Sequence, residues 1–152
     1  MALTGKLSIE LGIQATAAKW YHLYTTQLHH VQNVAEKVHQ INLHQGDDWH
    51  AIGSVKNWTY VIDGNVVSCK ETVEAIDESN KTITYKLSDG DISQHYKVFK
   101  LIFQLIERED GSDFLKWTVE YETINENVEP PYGYLRTLNE CTKDIDGHLL
   151  KA

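Results

Sequence analysis

The sequence is poor in features that mark several large protein classes. Its two cysteines, Cys69 and Cys141, are too few for the disulfide framework of a small secreted protein and predict two reduced core thiols. Lysine and arginine number 14 against 22 acidic residues, and this net charge of −8 argues against a nucleic acid or an anionic membrane as partner. No run approaches the roughly 18 apolar residues of a membrane span. The first residues also lack the hydrophobic core of a secretory signal, so we expect a cytoplasmic protein.

Motifs of several enzyme and metal-binding classes are missing as well. The sequence has no Cys-x-x-Cys, His-Glu-x-x-His, calcium-loop, phosphate-loop or Gly-x-Ser-x-Gly pattern. Its eight histidines do not predict a metal site, because adjacent His29 and His30 diverge on a helix, and His39 and His44 share neither a strand face nor a helical pair. His29 and His30 either seat a short helix or lie at the entrance of a pocket. We expect no metal and no cofactor.

Hydrophobic periodicity predicts a succession of strands closed by one long helix. Strands are expected at 5–13, 39–45, 53–62, 65–76, 81–87, 95–106 and 114–123, with short helices between 15 and 34. Asp63-Gly64 is a strong hairpin signal. The economical architecture is one α+β domain spanning residues 1–152, a seven-stranded antiparallel sheet around the terminal helix.

The terminal segment from Pro131 onward predicts an amphipathic helix. Its apolar face recurs at spacings of three and four residues: Tyr134, Leu138, Cys141, Ile145 and Leu149. A single helix crossing a wide, curved sheet covers its concave side without filling it. We therefore expect an internal pocket.

Large and polar side chains within the strands are consistent with such a pocket, although core packing explains aromatic residues equally well. Trp58 and Tyr60 share a strand face with Lys56, and period alone favours Lys56 facing water. The strand carboxylates Glu71, Glu74, Glu120 and Glu122 are expected to be solvated or paired with Lys70 and Lys116. No active site follows from composition or spacing.

Several segments, in order and spacing, resemble one plant family. They are LTGKL at 3–7, HHV at 29–31, 46–60 including GSVKNWTY, KETVEAID at 70–77, GD at 90–91, YK at 96–97, WTVEYE at 117–122 and KDIDGHLLKA at 143–152. Together they resemble the major latex protein subfamily of the Bet v 1-like (START-like) superfamily. Asp47, Asp48 and Trp49 replace the small residues of that superfamily's glycine-rich loop, which disfavours phosphate binding or ribonuclease activity.

The resemblance implies the helix-grip fold, with two short helices forming a V beneath the sheet and an internal hydrophobic cavity. It implies a lipid, steroid, hormone or specialised metabolite as ligand. The ligand-binding residues that we predict are Lys56, Trp58, Tyr60, Ile83, Tyr85, Leu87, Ile102, Tyr134, Leu138, Cys141 and Ile145. His29, His30 and Trp49 are the predicted entrance residues.

Three functions remain open at this point. The first is a carrier or sensor of a hydrophobic plant compound in stress or defence, acting as a monomer or weak dimer, with Lys56 and Tyr85 orienting the ligand's polar end. The second is a cofactor-free isomerase or cyclase of a reactive alkaloid or iridoid intermediate, for which Tyr85 and Lys56 are the catalytic candidates. The third is a stress-induced interaction protein whose pocket is incidental.

Overall fold

The fold is one curved antiparallel sheet crossed by a long helix. The computed structural model describes residues 3–28, 31–36, 38–45 and 50–151, with backbone only at 33, 34, 39 and 42–45. The elements in chain order are β1 (Thr4–Ile13), α1 (Ala17–Thr26), α2 (Val31–Val34), β2 (Val38–Gln45), β3 (Val55–Ile62), β4 (Asn65–Asp77), β5 (Thr82–Ser88), α3 (Gly90–Ser93), β6 (Tyr96–Glu107), β7 (Asp113–Thr123) and α4 (Tyr132–Lys151).

The seven strands form a single sheet in the order β1-β7-β6-β5-β4-β3-β2, and every neighbouring pair is antiparallel. β3 and β4 are joined by the two-residue turn at Asp63 and Gly64, both with positive φ, as a type I′ hairpin requires. This turn fixes the register of the whole hairpin, so that Lys56 pairs with Glu71 and Trp58 with Cys69. The predicted fold class is confirmed.

Strand alternation separates the two faces of the sheet. In β6 the side chains of Phe99, Leu101, Phe103 and Leu105 are buried on the concave face, while Ile102 between them is only partly buried on the other face. In β1 the alternation of exposed and half-buried residues runs from Thr4 to Gly12. Antiparallel sheets with one covered face show this period-two pattern.

The C-terminal half of α4 is held to the start of the chain by two carboxylates. Asp146 accepts hydrogen bonds from the backbone N–H groups of Gln14 and Ala15, at 2.8 and 3.0 Å, and from the indole Nε1 of buried Trp20, at 3.0 Å. Asp144 accepts one from the backbone N–H of Glu36 at 3.1 Å. These bonds satisfy donors that a connecting segment would otherwise leave unpaired.

Two local expectations differ from the structure. The connection between the strands predicted at 81–87 and 95–106 contains a short helix, α3, which begins at Gly90 and buries Ile92. α4 begins at Tyr132, and Pro131 precedes it with its carbonyl accepting the Leu135 N–H at 3.2 Å. Proline suits this position because it has no N–H that the first turn would leave unpaired.

Candidate functional site

An internal cavity of about 60 Å³ lies between the concave face of the sheet and α4. We call it the inner cavity. Every element except β1 and α3 contributes to its lining: Tyr24, Val31, Val38, Trp58, Tyr60, Glu71, Tyr85, Leu101, Trp117, Tyr134, Thr137, Leu138, Cys141 and Ile145. Most of this lining is aliphatic or aromatic, as in sites that bind apolar compounds.

Aromatic rings form two groups on the walls. Tyr24 stacks on Phe103 with 4.3 Å between ring centroids, and Trp117 meets both rings edge-on. The Trp117 indole Nε1 donates to Thr142 Oγ1 of α4 at 3.0 Å, which fixes this group against the helix. The rings therefore form a rigid wall.

The second group stands at the N-terminal end of α4. Tyr134 packs edge-on against Tyr60 at 5.8 Å and against Phe99 at 5.0 Å between centroids. The Tyr60 hydroxyl lies 3.2 Å from Cys69 Sγ. Burial raises the pKa of the Cys69 thiol to about 12 and raises the pKa values of Tyr60 and Tyr134. All three groups are therefore neutral near pH 7, and Cys69 is not an activated nucleophile.

Among the described residues that line the inner cavity, one, Glu71, carries a carboxyl group. Glu71 is only 5% exposed, and its β4 position places it directly opposite Lys56 of β3. Burial raises the pKa of the Glu71 carboxyl above its usual value, and the Lys56 ammonium and the Trp58 indole N–H counteract part of this increase. The pKa of a carboxyl in such surroundings therefore depends on any polar group that enters the cavity.

Two polar atoms of this lining have no hydrogen-bond partner within the described part of the chain. They are Glu71 Oε1 and Trp58 Nε1, both inaccessible to solvent. The indole N–H is near enough to act on the carboxyl, although the two groups do not meet in hydrogen-bond geometry. Buried polar groups without partners are rare in folded proteins and often mark functional positions.

A second, open cleft adjoins the inner cavity. This outer cleft has a volume of about 680 Å³ and lies between the β3–β4 turn, α3, the start of β6 and the segment leading into α4. Tyr134 lines both spaces, with Tyr60 on the inner side and Phe99 on the outer side. The Tyr134 side chain therefore borders both the cavity and the cleft.

The outer cleft is bridged at its edge by polar contacts between the β3–β4 hairpin and α4. Arg136 forms an exposed ion pair with Asp63 at 2.7 Å. Thr137 Oγ1 donates to the Val61 carbonyl at 3.0 Å. Exposed ion pairs contribute little to stability, so these polar contacts alone fasten this end of α4 only weakly.

Several of the predicted ligand-binding residues line the inner cavity: Trp58, Tyr60, Tyr85, Tyr134, Leu138, Cys141 and Ile145. Lys56, Ile83 and Leu87 are buried but lie outside the lining. Lys56 does not face water, because its ammonium lies 5.4 Å from the centroid of the Tyr85 ring. The prediction that Ile102 binds the ligand is wrong, because its side chain lies on the face of β6 that points away from the cavity.

The predicted entrance residues His29, His30 and Trp49 lie outside the described residues. The sequence interpretation missed Glu71, which it assigned to solvent or to surface pairs with Lys70. It also missed Tyr24, Val31, Val38, Leu101, Trp117 and Thr137 as lining residues. Of the other strand carboxylates, Glu74 pairs with Lys100 at 2.9 Å and Glu122 with Lys97 at 4.0 Å.

Residues 3–28, 31–36, 38–45 and 50–151 contain neither a candidate metal-binding cluster nor a candidate membrane-spanning helix. Within these ranges no group of three or more histidine, cysteine, aspartate or glutamate side chains is arranged to hold a metal ion. None of the helices described there combines the length and the apolar character needed to cross a membrane.

Comparison with known proteins shows consistent similarity along the chain. The model of the pathogenesis-related protein Bet v 1 family matches residues 2–152. MLP-like protein 43 of Arabidopsis thaliana is 38% identical over 98% of this chain and 95% of its own length. Major latex protein 146 of Papaver somniferum is 33% identical over 97% of this chain and 92% of its own. The solved structure of ginseng major latex-like protein 151 from Panax ginseng matches with a TM-score of 0.93 and 34% identity, covering 98% of this chain and 99% of that one.

Proposed function

Because the chain belongs to the pathogenesis-related protein Bet v 1 family, and its relatives include major latex proteins, we propose that it binds an apolar small molecule in the inner cavity for carriage or sensing. The ligand classes are those implied by the sequence resemblance: a lipid, steroid, hormone or specialised plant metabolite. The observation that carries this proposal is the largely aromatic and aliphatic cavity beneath α4.

Burial of the ligand's apolar surface supplies the affinity. A compound with about 400 Å² of apolar surface gains about 10 kcal/mol when that surface leaves water, at about 25 cal/mol per Å². Association removes at least about 4 kcal/mol of this gain. The remaining 6 kcal/mol or so corresponds to a dissociation constant of tens of micromolar, which is adequate for a carrier.

The inner cavity alone is too small for such a compound. Its volume of about 60 Å³ lies well below the roughly 300–1,000 Å³ of pockets that hold drug-sized ligands. Rotation of the Tyr134 side chain would join it to the outer cleft of about 680 Å³. We infer that the ligand enters through the outer cleft and displaces this ring, so that bound ligand spans both spaces.

The geometry supports binding better than the isomerase alternative. Burial raises the pKa of the Tyr85 hydroxyl well above its usual value, which makes this residue a poorer proton donor near pH 7. Lys56, the other candidate catalytic residue, does not line the inner cavity. An orienting role for the Tyr85 hydroxyl, which does line the cavity, requires no change in its protonation.

Fluorescence titration with N-phenyl-1-naphthylamine, an uncharged apolar probe, tests the proposal. We expect the folded protein to bind one probe molecule, and Cys141→Trp to weaken binding at least tenfold by occupying the cavity. Leu138→Phe fills less of the space and should have a smaller effect in the same direction. Lys143→Trp, on the exposed side of the same helix, is the matched control and should bind like the unaltered protein. Equal binding by folded Cys141→Trp, Leu138→Phe and Lys143→Trp variants would exclude the inner cavity as the site.

A further inference from the structure

The polar part of the inner cavity offers one acceptor and one donor that the described residues do not satisfy. The acceptor is Glu71 Oε1 and the donor is the N–H of Trp58 Nε1. Both side chains line the cavity, on adjacent strands, and Glu71 is nine-tenths buried or more. Leaving such groups unpaired in an apolar site is unfavourable, so a polar group placed within hydrogen-bond distance of both is favoured.

We propose that Glu71 and Trp58 form the polar anchor of the ligand site, and that the ligand's buried end is a neutral hydroxyl group. The hydroxyl donates its hydrogen bond to Glu71 and accepts one from the Trp58 indole. This inference rests on the proposed function, because it assumes that the inner cavity admits a ligand.

A hydroxyl matches this anchor better than other common end groups. It is the smallest group that both donates and accepts, so it satisfies the two atoms at once. A carboxylate would meet the Glu71 carboxyl and could not donate to it. An ammonium could not accept from Trp58, and it would add a positive charge beside Lys56, whose charge already acts on Glu71. A water molecule can bridge the same pair before binding, and the ligand hydroxyl reproduces the bonds of the water that it replaces.

Binding of four matched probes to the unaltered protein, measured by calorimetry at pH 7, tests the preference without any substitution. The probes are 1-octanol, its isomer heptyl methyl ether, octanoate and octylammonium. We expect 1-octanol to bind about tenfold more tightly than the ether, which cannot donate, since one buried hydrogen bond separates them. Octanoate and octylammonium should both bind more weakly than 1-octanol. Tightest binding by any of the other three would overturn the hydroxyl assignment.

Substitution of Glu71 tests whether this residue causes the preference for 1-octanol over the ether. Glu71→Leu should reduce the preference for 1-octanol over the ether to within about twofold, whereas Glu71→Gln, which keeps an acceptor, should retain most of it. Glu74→Leu, an exposed carboxylate on the same strand, is the control and should leave the preference unchanged. Circular dichroism checks that each variant is folded.

The two proposals fail in different ways. If neither N-phenyl-1-naphthylamine nor any octyl-length probe binds, the proposed function is wrong. If the apolar probe binds but 1-octanol and its ether do not differ, or their difference survives in Glu71→Leu, the cavity is a ligand site and the anchor assignment is wrong.

Discussion

Replacement of Tyr134 by alanine tests whether this ring is the barrier between the outer cleft and the inner cavity. The side chain is 8% exposed and makes edge-on contacts with Tyr60 and Phe99. Each contact contributes about 1 kcal/mol, so a ring that leaves its place loses about 2 kcal/mol. Removing the ring removes this barrier, and at 1.36 kcal/mol per factor of ten the association rate of a ligand should rise about thirtyfold.

The same substitution should destabilise the fold by about 3 kcal/mol, since it removes a buried aromatic side chain. The value lies at the low end for such changes because the space left behind borders the open cleft, where water can enter. Urea unfolding measures the stability, and stopped-flow fluorescence with N-phenyl-1-naphthylamine measures the association rate.

Two variants on the same residue type serve as controls. Tyr134→Phe keeps the ring and should retain the slow association. Tyr132→Ala removes a tyrosine that lines only the outer cleft and is 50% exposed, so it should change neither the rate nor the stability by much. If Tyr134→Ala loses stability as expected but binds the probe at the unaltered rate, the ligand does not pass this ring.

Two further predictions concern the carboxylates of Asp146 and Glu71. Asp146→Ala should lower the free energy of unfolding in urea by about 3–5 kcal/mol, because it leaves Trp20 Nε1 and two backbone N–H groups without their acceptor. A loss below about 1 kcal/mol would show that Asp146 does not hold α4 to the rest of the fold. The stability of Glu71→Gln relative to the unaltered protein should increase as pH rises. Burial raises the pKa of Glu71 in the folded state above its ordinary value of 4.5, so ionisation of this carboxyl destabilises the unaltered protein but cannot occur in the variant. Unfolding measured between about pH 4 and pH 8 checks this, and a difference that stays constant with pH would contradict the assigned environment.

Period and turn chemistry made most of the sheet predictable from sequence. The alternation at Phe99, Leu101, Phe103 and Leu105 placed these residues on one face, and all four are buried there. The same alternation should have excluded Ile102, which lies one residue out of phase and faces the other side.

The Lys56–Glu71 pair was also within reach of the sequence. A two-residue turn at Asp63-Gly64 pairs Ile62 with Asn65, and counting back along both strands sets Lys56 opposite Glu71. Because Trp58 and Tyr60 share the face of Lys56, Glu71 had to face inward with them. Treating each charge by its general preference for water concealed this consequence.

Other features depend on tertiary packing that no local pattern encodes. Tyr24 and Val31 enter the lining because the short helices pack beneath the sheet. The small size of the inner cavity depends on where the Tyr134 ring rests between Tyr60 and Phe99. Such side-chain positions are determined by close packing in the assembled fold, because each ring adopts a rotamer that its neighbours allow.

The unequal fastening of α4 has a consequence for how such a protein can diversify. Carboxylates at Asp144 and Asp146 tie its last turns to the beginning of the chain, whereas its first turns are joined to the β3–β4 hairpin by an exposed ion pair and one hydroxyl bond. Mutation of the exposed polar residues in the first turns should therefore cost less stability than mutation of Asp146, although the buried Tyr134 ring remains important for the fold. Sequence changes at exposed positions should therefore be tolerated more readily in the N-terminal turns of α4 than at the carboxylates of its C-terminal half.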